Sequence, residues 1–224
     1  MIEQNTTRVI DFLVSSGALR FGDFTLKSGR KAPYFINTGG FDDGEKITRL
    51  ASFYAQKIVS LGLDDVDVVF GPAYKGIPLC VATAMQLVDQ YDISMGFCFN
   101  RKEAKTRGEG GEYVGKPLKE GMRVVLVEDV VTAGTTLREV VPVLTKQVGV
   151  TVAGVVLLVD RDEKGPSGMS ATEEAQQELG ISISSIVDIN QIITYLSEPN
   201  KSGFVIDSDL GARITAYRSE FGAS

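Results

Sequence analysis

The chain has 224 residues, of which 29 are acidic and 23 basic, so its formal net charge is −6 at neutral pH. This length suffices for one domain with a full hydrophobic core, and a hydrophobic content of 43% is ordinary for a globular protein. The net negative charge argues against a broad surface for nucleic acid or anionic membranes. The absence of histidine excludes histidine-based triads, histidine general bases and the commonest zinc sites.

Cellular location and redox state can also be predicted from composition. No apolar run is long enough to cross a bilayer, and the polar start MIEQNTTRVIDF lacks the pattern of a secretion signal. We therefore expect a cytoplasmic protein with neither a membrane nor a nucleic-acid partner. Cys80 and Cys98 lie in apolar stretches without metal-type spacing, so we expect both to be reduced core residues.

The first part of the chain predicts a helix followed by a β-hairpin. Apolar residues recur at helical spacing over residues 4–16, which indicates an amphipathic helix. Two segments of alternating polarity then flank the turn-forming residues 28–30, as in a hairpin. Lys27 lies beside this turn, and Tyr34 with Phe35 offers an aromatic surface on which a flat heterocycle could stack.

After the hairpin, short apolar strands alternate with helices. Strands are predicted at 66–70, 95–99, 124–127 and 152–160, with an edge strand at 182–188. Helices are predicted from a cap at Asp42 or Asp43 to Gly62, around 79–87, from 137 to about 146, within 160–180, and near 189–197 and 207–220. Pro142 should kink one of them. This alternation predicts an α/β fold with a central, mostly parallel sheet flanked by helices.

The segment VVLVEDVVTAGTTLRE, residues 124–139, combines a buried strand with two carboxylates, Glu128 and Asp129. The small residues at 132–136 form a turn whose hydroxyls can cap the helix that opens near Leu137. A helix N-terminus binds phosphate, and adjacent carboxylates accept hydrogen bonds from sugar hydroxyls. The pattern therefore favours a phosphorylated ribose, with an ordinary capped turn and two solvated acids as the alternative.

Cations occur at three further places. Lys75 lies in GPAYKGIP, a stiff loop directly after the strand 66–70, and Arg161 directly follows the strand 152–160. Since ligands of parallel sheets bind beyond the carboxyl ends of the strands, both should lie beside the acidic pair. The segment 100–116 carries several cations next to a glycine cluster and few apolar residues, which indicates a mobile flap over a pyrophosphate. For each cation alone, solvent exposure is the alternative.

These motifs resemble those of a known family. VVLVEDVVTAGTT is similar to the signature with which type I phosphoribosyltransferases bind 5-phosphoribosyl 1-diphosphate (PRPP). FTLKSGRKAPYFIN, GPAYKGIP, FNRKEAKTRGEGG, DRDEKGPSGMSA and IITYLSE resemble segments of the orotate phosphoribosyltransferases. The resemblance covers nearly the whole chain and implies one Rossmann-like domain, 1–224, with a small N-terminal hood at about 1–40 and the flap at about 100–116. The implied reaction is transfer of the phosphoribosyl group to N1 of orotate.

The resemblance also implies roles for individual residues. Lys105, Asp129 and Arg101 would be catalytic, with Lys105 as the main cation on the leaving group. PRPP would contact Lys27, Tyr74, Lys75, Arg101, Lys102, Lys105, Arg107, Glu128, Asp129, Val130, Val131, Thr132, Ala133, Gly134, Thr135 and Thr136. Orotate would contact Lys27, Tyr34, Phe35, Thr132 and Arg161. Mg²⁺ would be held mainly through substrate rather than by a protein metal site, and a homodimer would place each flap over the partner's site.

Two positions depart from the family pattern. Arg107 stands where the flap usually carries a histidine, and a permanent cation can neutralise pyrophosphate but cannot donate a proton near neutral pH. The pair Glu128-Asp129 replaces the usual two aspartates. Two other functions compete: a phosphoribosyltransferase for another base, and a regulator that binds PRPP without turnover. Lys27 and Arg161 favour a carboxylated acceptor, and a regulator would need a basic nucleic-acid element that this acidic chain lacks.

Overall fold

The structure is a computed structural model that describes residues 4–26, 29–105, 111–131, 134–165 and 167–223. Its elements in chain order are α1 (Gln4–Ser15), β1 (Leu19–Thr25), β2 (Lys31–Ile36), a 3₁₀ turn (Thr38–Gly40), α2 (Gly44–Ser60), β3 (Val68–Phe70), α3 (Gly76–Tyr91), β4 (Gly96–Lys105), β5 (Gly111–Gly115), β6 (Arg123–Val130), α4 (Thr135–Pro142), a π-helical segment (Val143–Val148), β7 (Thr151–Asp160), α5 (Ala171–Leu179), β8 (Ile183–Asp188), α6 (Ile189–Leu196) and α7 (Ser208–Phe221).

The central sheet has six strands in the order β5-β4-β3-β6-β7-β8. Its neighbouring strands pair in parallel except β4 and β5, which are antiparallel. Strands β1 and β2 form a separate antiparallel sheet near the N-terminus. The predicted fold class, a mostly parallel sheet flanked by helices with a small N-terminal sheet, is therefore confirmed.

Strand β6 is buried on both faces, as its β-branched residues predict. Val125 and Val127 pack into the cluster that includes apolar residues of α2 and α3. Val124 and Leu126, which point to the opposite face, pack into the cluster that includes residues of α4 and α5. Because both faces are covered, the polar end of β6 has only one free direction, beyond the carboxyl edge of the sheet.

Two helix ends differ in how well the sequence predicted them. Asp43 is the N-cap of α2, and its side chain accepts a hydrogen bond from the Lys46 amide at 2.8 Å. The predicted hydroxyl cap of α4 is wrong: its N-cap is Gly134, in the left-handed conformation (φ 68°), without a side-chain cap. The irregularity expected at Pro142 is a change from α-helix to π-helix, since proline cannot donate to the helical ladder.

The predicted flap, 100–116, contains strand structure that the sequence did not predict. Residues up to Lys105 belong to β4 and those from Gly111 belong to β5, which pair as an antiparallel ladder. Residues 106–110, including Arg107, lie outside the described part of the chain. Mobility of this segment stays a prediction.

Both cysteines are core residues, as the sequence predicts. Cys80 and Cys98 are free and buried, and burial raises the pKa of the Cys80 thiol to about 12 and that of Cys98 to about 11. Both thiols are thus inert core groups. None of the helices within the described ranges combines the length and the hydropathy that crossing a bilayer requires.

Tyr54 on α2 forms a hydrogen bond with the backbone at the end of β6. Its side chain is fully buried, and its hydroxyl donates to the Glu128 carbonyl at 2.7 Å. We predict that Tyr54→Phe lowers the free energy of unfolding by about 1–3 kcal/mol, because a buried hydrogen bond is lost without water to replace it. Denaturant unfolding at neutral pH measures this.

Tyr195→Phe is the matched control. Its hydroxyl bonds Asp11 Oδ1 at 2.9 Å but is partly exposed, so water can replace the lost group. We expect a loss under about 1 kcal/mol there. Equal losses for the two variants would contradict a structural role for the contact between α2 and β6.

Candidate active site

The carboxyl ends of β3, β6 and β7 lie side by side, and polar residues are found at or just after each of them. Strand β6 lies between β3 and β7, with Leu126 beside Phe70 and Val130 beside Val159. The loop that follows β3, the end of β6 and the residue that follows β7 therefore lie at one carboxyl edge. The prediction that Lys75, the acidic pair and Arg161 share this edge is confirmed.

Asp129 lies at the centre of this edge in a network of hydrogen bonds. Its Oδ2 accepts from Lys75 Nζ at 2.7 Å and from the Thr38 hydroxyl, and its Oδ1 accepts from the Val130 amide at 2.8 Å. Lys75 Nζ also donates to Thr38 Oγ1 at 3.0 Å. Asp129 and Glu128 are each only 8% exposed. The structure thus joins two predicted residues, Lys75 and Asp129, through a third, Thr38, that sequence reasoning missed.

The two adjacent carboxylates have opposite electrostatic environments. Burial and then the neighbouring Asp129 carboxylate raise the pKa of Glu128 well above its usual range. Burial acts in the same sense on Asp129, but hydrogen bonds from Lys75 and Thr38 outweigh it and lower the pKa of that group. Asp129 therefore carries the negative charge of the pair, while Glu128 readily takes up a proton.

The loop between β3 and α3 is closed too tightly for any residue other than glycine at its two ends. A Cβ on Gly71 would lie 1.9 Å from the Gly76 carbonyl oxygen, and one on Gly76 would lie 2.6 Å from the Gly71 carbonyl carbon. The Ala73 amide donates to Asn100 Oδ1 of β4 at 2.9 Å. This packing holds Lys75 at the start of α3, within reach of Asp129.

The start of α4 is open to an anion. Because Gly134 provides no side-chain cap, the first amide groups of the helix, at Thr135 and Thr136, have no capping acceptor from the N-cap. The positive end of the helix dipole adds to this preference for an anion. Val131 is a buried core residue, and Thr132 and Ala133 lie outside the described residues.

A cavity of about 310 Å³ joins the base of the predicted flap to this helix start. Arg101 and Lys102 of β4 line it together with Thr136 of α4 and Ala73 of the loop after β3. Of Lys105 the structure describes the backbone, at the end of β4. Of the residues predicted to bind PRPP, Arg101, Lys102 and Thr136 therefore face a common cavity.

Arg161 and Tyr34 form a second buried part of the site. Arg161 is 9% exposed, its Nη2 donates to Glu163 Oε1 at 2.6 Å, and its guanidinium lies 5.8 Å from the Tyr34 ring centre. Tyr34 is 0% exposed, and its ring packs edge-on against Tyr217. The expectation of a stacking surface at the Tyr34 ring is therefore wrong. Phe35 is half-buried and stacks on Phe24; Lys27 lies outside the described residues.

Three residues of the site had no signal in the sequence that we recognised. Thr38 follows the hairpin in a polar turn, Glu163 lies in a loop of mixed charge, and Tyr217 lies on the last helix. Each reaches the site through contacts between distant parts of the chain. Only the apolar stripe of α7 could have indicated that this helix packs against the hairpin.

Comparison with known proteins identifies the family. Residues 38–171 match the phosphoribosyl transferase domain. The chain is 48% identical to the orotate phosphoribosyltransferase of Bifidobacterium longum (strain NCC 2705), covering 100% of both chains. It is also 48% identical to that of Photobacterium profundum, covering 95% of this chain and 96% of the relative. The chain belongs to the orotate phosphoribosyltransferase family.

The architecture agrees with that of this family. The crystal structure of the orotate phosphoribosyltransferase of Francisella tularensis matches with a TM-score of 0.82 at 36% identity, covering 96% of this chain and 99% of that one. The network around Asp129 therefore lies in a type I phosphoribosyltransferase fold. The resemblance inferred from the motifs is confirmed.

Glu128 should make the ligand-free protein less stable as the pH rises. Its pKa is raised from 4.5 to about 8 in the folded state. Between these two values the folded protein keeps a proton that the unfolded chain releases, so the free energy of unfolding falls with rising pH. We predict that Glu128→Gln, which cannot ionise, gains stability relative to the parent protein from pH 5 to pH 8.

Denaturant unfolding of both proteins at several pH values tests this prediction. Glu198→Gln, at an exposed position, is the control and should differ from the parent by a constant amount. A difference for Glu128→Gln that is equally constant would show that Glu128 is ionised throughout this range.

Proposed function

We propose that this protein transfers the 5-phosphoribosyl group from PRPP to N1 of orotate, giving orotidine 5′-monophosphate and diphosphate in pyrimidine (UMP) biosynthesis. The observation that carries the proposal is the buried Asp129 carboxylate, which accepts a hydrogen bond from the cation Lys75 and precedes the open start of α4 in the chain. Full-length identity of 48% to orotate phosphoribosyltransferases supports orotate as the acceptor.

Asp129 would act on the ribose. In the transition state, positive charge develops on the ribose ring and negative charge on the departing diphosphate, so fixed charges stabilise the reaction more than proton transfer does. A carboxylate with a lowered pKa stays anionic beside the ring. The ribose hydroxyls would donate to Glu128 and Asp129. In the present structure Lys75 and Thr38 are the side-chain donors to Asp129.

The phosphate groups of PRPP would occupy two cationic or amide-rich regions. The 5-phosphate would bind the segment 130–136, where the start of α4 presents its amides and the hydroxyls of Thr135 and Thr136. The diphosphate would bind Tyr74 and Lys75 of the loop and the flap cations Arg101, Lys102, Lys105 and Arg107. Lys75 can exchange Asp129 for the diphosphate as its partner, because its side chain is 61% exposed and can turn from Asp129 to an incoming phosphate.

Orotate would bind on the other side of the ribose. The buried Arg161 would face its carboxylate, and Lys27, Phe35 and Thr132 would complete the pocket with the backbone at Tyr34. A carboxylated acceptor fits this arrangement better than a neutral purine, since the buried Arg161 Nε has no partner among the described residues and a carboxylate can accept a hydrogen bond from it.

The donor atoms at the site suit Mg²⁺ as a companion of PRPP. Within the described residues, no group of three or more Cys, Asp or Glu side chains could hold a metal ion, but Glu128 and Asp129 supply carboxylate oxygens. Mg²⁺ prefers octahedral oxygen ligands, so substrate oxygens and water would complete its shell. When bound, the ion would neutralise charge on the diphosphate leaving group.

The assembly and location of the protein are part of the proposal. We expect a homodimer in which each flap closes over the partner's site, and exposed apolar side chains of α3, Met85 and Val88, are compatible with a subunit contact. The two free, buried cysteines agree with a reducing compartment such as the cytoplasm.

Loss of orotate absorbance in the presence of PRPP and Mg²⁺ tests the function directly. We predict that the protein consumes orotate. We also predict that Lys105→Ala lowers kcat by about 100-fold with a much smaller change in KM, because the charge of Lys105 acts on the departing diphosphate. Lys119→Ala, at an exposed position away from the site, is the control. Turnover of another base without consumption of orotate would overturn the proposal. A rise in KM at unchanged kcat would make Lys105 a binding residue only.

A further inference from the structure

Glu163 connects the side chains that surround Arg161. Its Oε1 accepts hydrogen bonds from Arg161 Nη2 at 2.6 Å, from the Tyr217 hydroxyl at 2.9 Å and from the Tyr34 hydroxyl at 3.5 Å. Its Oε2 lies 3.9 Å from Arg30 Nη1. One carboxylate thus joins the loop after β7, the hairpin strand β2 and the last helix, α7.

The backbone around Glu163 is held as firmly as its side chain. Glu163 forms a β-bridge with Gly222, just after α7, and the Lys164 amide donates to the Phe221 carbonyl at 2.8 Å. Arg218 of α7 donates to the carbonyls of Arg161 and Asp162 at 3.2 and 2.7 Å. The position of the Glu163 carboxylate is therefore set by α7.

Both tyrosines serve Glu163 as hydrogen-bond donors. Burial, followed by the charge of Glu163, raises the pKa of Tyr217 to about 12 and shifts that of Tyr34 in the same direction. A protonated phenol beside a carboxylate can only donate to it. The two hydroxyls therefore donate to the carboxylate from β2 and α7, while Arg161 donates to it from the end of β7.

The group as a whole lacks one negative charge. Arg30 and Arg161 both face Glu163, so two guanidinium groups share one carboxylate. Arg161 is nine-tenths buried, and its Nε has no hydrogen-bond partner among the described residues. A buried donor without a partner is unfavourable unless a ligand supplies the acceptor. The second guanidinium thus favours an anionic ligand, and the unpartnered Nε favours one with a hydrogen-bond acceptor.

We propose that Glu163 is a positioning residue that determines acceptor specificity by holding Arg161 through Nη2, which leaves the rest of the guanidinium for the carboxylate of the acceptor. The inference rests on the proposed function and deepens it, since the acceptor there is a carboxylated pyrimidine. Without the Glu163 charge, the guanidinium groups of Arg30 and Arg161 would lose the carboxylate that they share, and the buried Arg161 would lose this orientation.

Glu163→Gln tests the proposal with little change of shape. We expect KM for orotate to rise about tenfold, while KM for PRPP and kcat change less than about twofold. Uracil, which lacks the carboxylate, is the probe for a general loss of the pocket, and its inhibition constant against orotate should stay within about twofold of the parent value. Tyr217→Phe, which removes one donor to Glu163, should raise KM for orotate in the same direction by a smaller factor.

Glu174→Gln is the matched control, because Glu174 is a carboxylate of the same region that bonds Ser167 rather than an arginine. It should leave all these constants unchanged. An unchanged KM for orotate in both Glu163→Gln and Tyr217→Phe would overturn the inference, as would a parallel loss of affinity for orotate, PRPP and uracil. If the parent consumes orotate and Arg161→Ala raises its KM while Glu163→Gln does not, only the role of Glu163 fails. Absence of orotate turnover by the parent would overturn the proposed function itself, and this inference with it.

Discussion

Two adjacent carboxylates, buried where β6 leaves the sheet, impose the constraint on which the site depends. Both cannot stay ionised in a buried setting unless a partner compensates them. Lys75 and Thr38 compensate Asp129, and the raised pKa of Glu128 relieves the remaining repulsion. The glycine contact between residues 71 and 76 brings Lys75 close enough to do so. Backbone packing after β3 thus positions the cation that lowers the pKa of Asp129 at the end of β6.

The side chains of the site fall into two groups, buried ones with fixed positions and exposed ones that can change partner. Asp129 and Arg161 are buried, Asp129 in a network of hydrogen bonds and Arg161 through its bond to Glu163, as suits groups that orient a ribose and an acceptor. The cations proposed for the diphosphate, Lys75, Arg101 and Lys102, have exposed side chains and can follow a leaving group. Fixed charge on the sugar side and adjustable charge on the leaving side together match the charge separation of the transition state.

The sequence predicted those features that depend on local pattern and strand direction. Apolar runs located β6 and β7, and the rule for parallel sheets placed Lys75, Asp129 and Arg161 at one edge. Sequence-based prediction failed where contacts between distant segments determine the position or burial of a residue. Tyr34 was expected to be exposed, but α7 covers it, and its partners Glu163 and Tyr217 lie more than a hundred residues away. The cap of α4 was misassigned because Thr hydroxyls are good caps, whereas Gly134 leaves the helix start open.

The central claim is that Lys75 keeps Asp129 ionised while Glu128 takes up a proton, and ¹³C NMR titration of the side-chain carboxyl groups of the ligand-free protein tests it most directly. Asp129 should stay ionised down to acidic pH, and Glu128 should titrate with an apparent pKa near 8. In Lys75→Met, the pKa of Asp129 should rise, because its main compensating donor is gone. Titration of both carboxyls together near the ordinary range of Asp and Glu, unaffected by Lys75→Met, would contradict the account.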